Sequence, residues 1–302
     1  MMRMRYGMVL ALVFGGCGTV AGTPIDGAIE DTNAVDAPVR CNRAAAFGAG
    51  QRIMELDTAA EEDFATLTSD ELTMYFSSTR TGAVGGYDLF TATRADRSSP
   101  WGNIQTVGGV NTAMNERAPM MSEDQRTLYA LTGVAPDYQI GVTTRTTAAG
   151  LFNGFTDAPV INAAGSNEDG GTLLANALYF STNRSGTYQI VRAARSGATL
   201  GTPLLVIGDM LADPRGVSQP VVTPDELHLY FDSPRPGGIG SDDIWYASRS
   251  NLADGFGPPV NLGTLNTTTA DFPTWVSADN CVLYYTNRST GTYDLYVATR
   301  GR

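Results

Sequence analysis

The sequence predicts an all-β chain folded as a five-bladed β-propeller, and three observations carry that prediction. First, an aromatic-centred segment recurs five times after residue 56: Thr73-Met74-Tyr75-Phe76, Thr127-Leu128-Tyr129, Ala177-Leu178-Tyr179-Phe180, His228-Leu229-Tyr230-Phe231 and Val282-Leu283-Tyr284-Tyr285. Its tyrosines step by 54, 50, 51 and 54 residues. Second, each is followed by a segment that ends on a basic residue: Tyr87-Asp88-Leu89 to Arg94, Tyr138-Gln139-Ile140 to Arg145, Tyr188-Gln189-Ile190 to Arg195, Asp243-Ile244-Trp245 to Arg249, Tyr293-Asp294-Leu295 to Arg300. Third, 34 glycines and 15 prolines accompany a charged content of only 17%, which suits many short strands joined by turns. A strand-turn-strand unit of near-constant spacing buries its faces only against its neighbours, so it stacks as a solenoid or propeller.

The elements follow in chain order. Arg3 and Arg5 precede an apolar run, Met8 to Phe14, that is too short to span a bilayer. Residues 1–16 therefore read as a signal peptide. The run ends in Phe14-Gly15-Gly16-Cys17, which resembles the lipobox of bacterial lipoproteins. That resemblance implies lipidation of Cys17, attachment to the membrane through the lipid alone, and a place in the cell envelope. Gly18, where an aspartate would retain a lipoprotein at the inner membrane, points to the outer membrane, with the chain periplasmic or surface-exposed. An ordinary secretory signal with a chance cysteine is the competing reading. Residues 17–50, with Asp26, Glu30, Asp31 and Asp36 and little to bury, are expected to form a flexible acidic tether.

With Cys17 lipidated, Cys41 and Cys281 remain as an even pair in an oxidising compartment, where a bridge between them would staple the ring near its closure. Two unpaired thiols are the alternative. The propeller is expected over 51–302, with blades at about 58–111, 112–162, 163–213, 214–266 and 267–300. The last repeat stops after its third strand. Its fourth is expected at 51–56, because Ile53-Met54-Glu55-Leu56-Asp57 matches the pattern that begins at Val260-Asn261-Leu262. A strand donated from the N-terminal side removes the open edges of the ring.

Four repeats carry a turn signal five residues before the tyrosine: Ser69-Asp70, Glu123-Asp124, Pro224-Asp225 and Ala278-Asp279. With the aromatic and Asp-Ile/Leu strands that follow, these turns resemble the WD40-like, Tol-type (TolB-like) propeller repeat over roughly residues 51–300. TolB-type propellers have six blades and a separate N-terminal α/β domain, whereas this chain has five repeats and room for neither. The resemblance implies a fold and is nearly silent on activity.

Composition narrows function mainly by exclusion. A net charge of −11 argues against a nucleic-acid partner. All 20 basic residues are arginine, so Schiff-base chemistry and a P-loop lysine are excluded. His228, the only histidine, lies between Leu227 and Leu229 in a strand, which leaves neither a usual zinc site nor a serine triad to expect. Gly82-Ala83-Val84-Gly85-Gly86 sits between strands and does not read as a phosphate loop. No cofactor, metal or catalytic residue is expected.

An Asn or Asp recurs at Asp57, Asn111, Asn162, Asp213 and Asn266, as a tight crossing between blades requires. Five residues on stand Glu62, Glu116, Asn167 with Glu168 adjacent, Ser218 and Asp271. Glu62, Glu116, Glu168 and Asp271 are expected at the start of the innermost strands, as an incomplete acidic ring at one mouth of the channel. They read either as solvated turn caps or as a site for a cation, a basic peptide or a sugar. Arg80 with Asp88, Arg235 with Asp243 and Arg288 with Asp294 read as cross-strand ion pairs of the scaffold, lost together in repeat two at Gly133 and Gln139. Repeat three keeps Arg184 opposite Gln189.

The expected function is that of a non-enzymatic, monomeric envelope lipoprotein whose propeller binds a periplasmic or surface protein, or an envelope polysaccharide. The alternative is a carbohydrate-active hydrolase, since glycoside hydrolysis needs only two suitably spaced carboxyl groups, here among Glu62, Glu116 and Asp271. Trp101, Trp245 and Trp275 fall at different blade positions, with Trp275 nearest an inner strand.

Overall fold

A computed structural model describes residues 40–302 apart from 135, 136, 207, 209, 210 and 212. The expected signal peptide, Cys17 and the tether up to residue 39 lie outside the described residues. The folded unit runs from Arg40 to Arg302 and is a ring of five antiparallel sheets.

Strand β1 (Gln51–Arg52) belongs to the last blade. Blade one is β2 (Glu62–Leu67), β3 (Thr73–Ser78), β4 (Asp88–Thr93) and β5 (Gly102–Thr106). Blade two is β6 (Asn115–Met121), β7 (Thr127–Val134), β8 (Asp137–Thr144) and β9 (Thr156–Asp157). Blade three is β10 (Glu168–Leu173), β11 (Ala177–Thr182) and β12 (Gln189–Ser196), with an outer edge split into β13 (Thr199–Leu200) and β14 (Leu204–Leu205). Blade four is β15 (Ser218–Val222), β16 (His228–Ser233), β17 (Asp243–Ser248) and β18 (Val260–Asn261). Blade five is β19 (Asp271–Val276), β20 (Val282–Asn287) and β21 (Asp294–Thr299), completed by β1 in the register Gln51↔Val297 and Arg52↔Tyr296. The pairing stops short of the expected 51–56: the Ile53 amide still donates to the Leu295 carbonyl at 2.9 Å, and the chain then turns, with Leu56 N on the Ile53 carbonyl at 3.1 Å and both side chains buried.

Each sheet is covered on both faces by its neighbours, so its second strand reads as a nearly unbroken apolar run. Tyr129, Tyr179, Tyr230 and Tyr284 are fully buried between blades. Phe76 and Phe90 of blade one, for example, share a cluster with Tyr284 and Leu295 of blade five. A buried phenol needs a partner for its hydroxyl. The arginine that closes the next repeat supplies it: Arg145 Nη2 donates to the Tyr75 hydroxyl at 2.9 Å, and Arg300 Nη2 to that of Tyr230 at 3.0 Å. Arg195 stands beside Tyr129 and Arg94 beside Tyr284 in the same relation. Each of these arginine rows also reaches a hairpin carbonyl, as Arg94 Nε does to Glu71 at 2.8 Å while its guanidinium lies 4.3 Å over Trp101. The recurrent basic residue is therefore a tie between blades.

The arginine–aspartate pairing is corrected. Arg80 Nη2 donates to the Leu56 carbonyl at 2.7 Å and stands 3.3 Å from Glu62, while Asp88 accepts from the Val84 and Gly85 amides at 2.5 and 3.2 Å. Arg235 Nη2 likewise donates to Leu211 at 2.7 Å, and Asp243 accepts from Ile239 and Gly240 at 2.6 and 2.8 Å. Asp294 is paired with Arg52 of β1 at 2.8 Å, and Arg288 is exposed over the Tyr293 ring. These residues hold the fold, but the aspartates stitch their own loops and the arginines fasten the crossing between blades.

The chain leading into β1 packs on the ring, so the folded part begins before the tether was expected to end. Cys41 and Cys281 are joined by a disulfide across a sequence separation of 240. Arg40 pairs with Asp279 at 2.7 Å and Glu71 at 2.6 Å, bridging blades five and one. Phe47 is buried, under the Arg300 guanidinium at 4.1 Å.

Candidate functional site

All five inner strands carry a bulge, seen as a register shift at Asp63/Thr66, Arg117/Met120, Asp169/Gly171, Ser218/Val221 and Pro273/Trp275. Phe64, Ala118 and Gln219 adopt positive φ there (47°, 51° and 48°). A bulge re-aims the side chains on either side of it, and this one separates the two ends of the channel.

At the end where the inner strands start, the four carboxylates expected at the mouth are placed differently. Glu62, Glu116 and Glu168 are each 1% exposed and Asp271 is 0%. Glu62 accepts from the Thr58 amide at 3.1 Å and its hydroxyl at 2.5 Å, and Glu116 does the same with Thr112 at 2.8 and 2.6 Å. Asp271 accepts from the Thr267 amide at 2.7 Å and from Asn287 Nδ2 at 2.6 Å. Glu168 takes the hydroxyls of Ser166 and Thr182 at 3.1 and 3.0 Å, with Arg184 at 3.3 Å. They cap turns, as one of the two sequence readings held, but they do so buried and do not face solvent. Burial raises the carboxyls of Glu62 and Glu116, and it pushes Asp271 up to about 6 against its hydrogen bonds.

Side chains alternate along a strand, so the axis is met by the next residue of each inner strand. Opposite the second residue after each tyrosine stand Asp63, Arg117, Asp169, Ser218 and Phe272. Around them recur Tyr87, Tyr138, Tyr188, Asp242 and Tyr293, each immediately before its third-strand Asp or Gln. Arg117 Nε donates to Asp63 Oδ2 at 2.9 Å, and the guanidinium lies 4.7 Å over Phe64 and 4.6 Å over Tyr87. Asp169, partly buried, has its carboxyl raised by burial despite the Gly170 amide at 2.7 Å. Burial and the nearby Asp169 push the Tyr188 hydroxyl up to about 12. Asp63, Arg117 and Asp169 were not picked out from the sequence, and the four tyrosines were read there only as the start of a recurrent strand. The available signal was period two: the axial residue is the neighbour of the turn cap.

At the opposite end, where the inner strands turn into the second strands, a cavity of about 280 Å³ lies on the axis. Leu67, Met121, Leu173, Val222 and Trp275, one from each blade, line it together with Thr274. Glu123 is the one carboxylate among the described lining residues, and it is exposed at the rim. Ser69 and Ala278 at the rim sit beside the hairpin residues Glu71 and Asp279 that hold Arg40. Between the two ends the channel narrows to a void of about 10 Å³ bordered by Phe64, Pro119, Gln219, Pro273 and Thr274.

Two further groups are accounted for by structure. His228 is half-buried, with its Nδ1 2.6 Å from the Tyr246 hydroxyl and its ring stacked on that tyrosine, and burial lowers its pKa. The carboxylates of Asp57, Glu62 and Asp294 cluster within 4.8 Å, and Arg52 already stands on Asp57 and Asp294 at 2.5 and 2.8 Å.

The raised Asp271 yields a pH prediction. Its folded value, about 6, exceeds the ordinary 3.8, so its contribution favours folding below pH 3.8 and is lost as pH rises through 6. Asp271→Asn cannot charge. Denaturant unfolding should show the variant gaining on the parent by up to about 3 kcal/mol between pH 4 and pH 7. A difference that stays flat over that range would contradict the buried-carboxyl assignment.

No protein-family model and no curated protein matches the chain. Solved structures share its fold. It is similar to Zg3597, a family 117 glycoside hydrolase of Zobellia galactanivorans, at 11% identity and a TM-score of 0.56, covering 84% of this chain and 90% of that one. It is similar to the α-L-arabinofuranosidase PaAbf62A of Podospora anserina at 9% identity and a TM-score of 0.54, covering 87% and 98%. TolB from Acinetobacter baumannii aligns at 12% identity and a TM-score of 0.48 over 80% of this chain, which spans 56% of that TolB. At these identities what is shared is the propeller fold.

Proposed function

We propose that this protein is a non-enzymatic binding propeller of the cell envelope that takes an uncharged segment of an envelope protein or polysaccharide end-on into the axial cavity. The observation that carries this reading is the composition of that cavity. Strands of all five blades line it, with Trp275 and four aliphatic or thioether side chains, and among the described lining residues Glu123 at its rim has no second carboxylate to work with. Hydrolysis of a glycosidic bond requires two. A cleft that mixes apolar side chains with the hydroxyls of Thr66, Thr68, Ser69, Ser122, Thr172 and Thr274 is suited to a binding site, and the narrow waist means that the ligand enters from one end. Lipidation at Cys17, attachment at the outer membrane and a monomeric state belong to the same reading.

A hydrolase reading is favoured by one observation at the other end, where Asp63 and Asp169 meet the axis among Tyr87, Tyr188 and Tyr293. Asp63, however, is engaged by Arg117 and by the Ser77 hydroxyl at 2.7 Å.

The binding reading is tested by titrating the immobilised protein with fractionated envelope extract and with a glycan array, beside Leu173→Arg. The arginine puts a charge and a long side chain into the cavity beside Trp275, and saturable binding is expected to weaken more than tenfold while circular dichroism stays unchanged. Undiminished binding by the folded variant would remove the cavity from the account.

A further inference from the structure

In three blades the arginine that follows the third strand lies over an aromatic ring: Arg94 over Trp101, Arg145 over Phe152 and Arg249 over Phe256, at 4.3, 4.4 and 4.5 Å. These pairs bring the blades into register, and the residue after the ring is Gly102, Asn153 or Gly257. In blades one and four that glycine holds the outer edge through its backbone. Gly102 pairs with Thr93 in the ladder, and Gly257 N donates to the Ser248 carbonyl at 2.9 Å. Blade two makes the same closure with a side chain. Asn153 Nδ2 donates to the equivalent carbonyl, that of Thr144, at 3.2 Å.

Asn153 is the only asparagine in the sequence that is followed by glycine. It is exposed, and Gly154 stands outside any strand at φ 81°. Among the described residues no group accepts the Gly154 amide hydrogen. A Cβ added at Gly154 would meet nothing nearer than the Gly109 carbonyl at 3.8 Å, so the surroundings of its nitrogen are open. Amides held in a ladder must open before they can react. This one is already free.

We propose that Asn153 is a self-modification site, where deamidation removes the bond that closes the outer edge of blade two. The deprotonated Gly154 nitrogen attacks Asn153 Cγ. A ring C–N bond forms, the bond to Nδ2 breaks, and Nδ2 leaves as ammonia with a proton returned by water. Water then opens the succinimide at either carbonyl, giving aspartate or isoaspartate with no change of oxidation state. Both products end on a carboxylate, which has no hydrogen to give the Thr144 carbonyl and repels it. Isoaspartate also adds a methylene to the main chain between Phe152, which is buried, and Phe155, which packs over Gly141. Beyond this link β9 holds the edge by two residue pairs alone, Gly141↔Asp157 and Val142↔Thr156, so the edge has little else to keep it in place. The site does not depend on what the axial cavity binds.

The test ages the full chain at 37 °C at pH 6.0 and pH 8.5, then maps arginine-cleaved peptides by mass and by enzymatic methylation of isoaspartate. Fragment sequencing is expected to place the first conversion at Asn153, several-fold faster at pH 8.5 because the attacking nitrogen must lose its proton. Aged protein returned to pH 7 should melt a few degrees lower, in proportion to conversion. Asn153→Asp should melt below the parent before any ageing, and Asn153→Gln should resist conversion and hold its melting temperature through the incubation. Conversion confined to other asparagines, or conversion at Asn153 that leaves the melting temperature unchanged, would overturn the proposal.

Discussion

Replacing both Cys41 and Cys281 with serine is expected to lower the unfolding free energy by about 2–5 kcal/mol, the range for a long closed loop. The bond joins positions 240 residues apart, so it encloses almost the whole ring and restricts the unfolded chain correspondingly. Its place compounds the effect. Blade five is built from both sides of the sequence, with only the two residue pairs of β1 on β21 completing the sheet. The disulfide, the Arg40 pairs to Glu71 and Asp279, and Phe47 under Arg300 all act at that joint. At roughly 2–4 °C per kcal/mol for a domain of this size, the melting temperature should fall by roughly 4–20 °C, and reductant should do the same to the parent. An unchanged melting temperature would mean that β1 and the Arg40 pairs close the ring unaided.

Glu226→Ala is expected to cost about 3–5 kcal/mol, because it strips a buried charge network of its acceptor. Glu226 sits in the hairpin of blade four with φ 58° and reaches back onto blade three. There it accepts from the Tyr179 hydroxyl at 2.5 Å, Arg192 Nε at 2.7 Å and Asn176 Nδ2 at 2.8 Å. Burial opposes its ionisation, yet the bonds from Arg192, Tyr179 and Asn176 outweigh burial and hold its pKa at about 2. The sign follows directly. With the folded value below the ordinary 4.5, this contribution is fully present above pH 4.5 and is lost as pH falls through about 2. The shift corresponds to about 3 kcal/mol. Glu226→Gln keeps the shape and loses the charge, so its deficit against the parent should be constant above pH 5 and shrink toward pH 2. A deficit independent of pH would show that shape, and not charge, matters at this position.

The fold was legible because its signals are repeated volumes. Tyr75, Tyr129, Tyr179, Tyr230 and Tyr284 mark one buried position per blade, and the unpaired third strand of the last repeat called for a partner that β1 supplies. The axial residues were not legible, because Glu62 and Asp63 differ by one position and a strand sends neighbours to opposite faces. A carboxylate that caps a turn and one that faces the channel look alike in sequence. The joint loss of charges at Gly133 and Gln139 suggested an ion pair, whereas in the structure the two positions serve different contacts and the loop accounts only for the aspartate. In blade one that loop spans the nine residues between Ser78 and Asp88, and in blade two β7 and β8 run to within two residues of each other. A short hairpin has no use for the loop-capping aspartate, whereas the arginine serves the blade crossing, as Arg184 does in repeat three with no aspartate opposite it. The axial cavity leaves no sequence pattern at all, since it is the space that five different side chains fail to fill.

The central claim is that this propeller binds without doing chemistry, and the most direct measurement is release of reducing ends from fractionated envelope polysaccharides. The parent chain would be run beside Asp63→Asn, Asp169→Asn and Leu173→Arg, with ligand capture recorded on the same preparations. The account predicts no release by any of the four proteins, and capture lost only in Leu173→Arg. Release by the parent that disappears in Asp63→Asn or Asp169→Asn would contradict it and make the tyrosine-ringed mouth an active site.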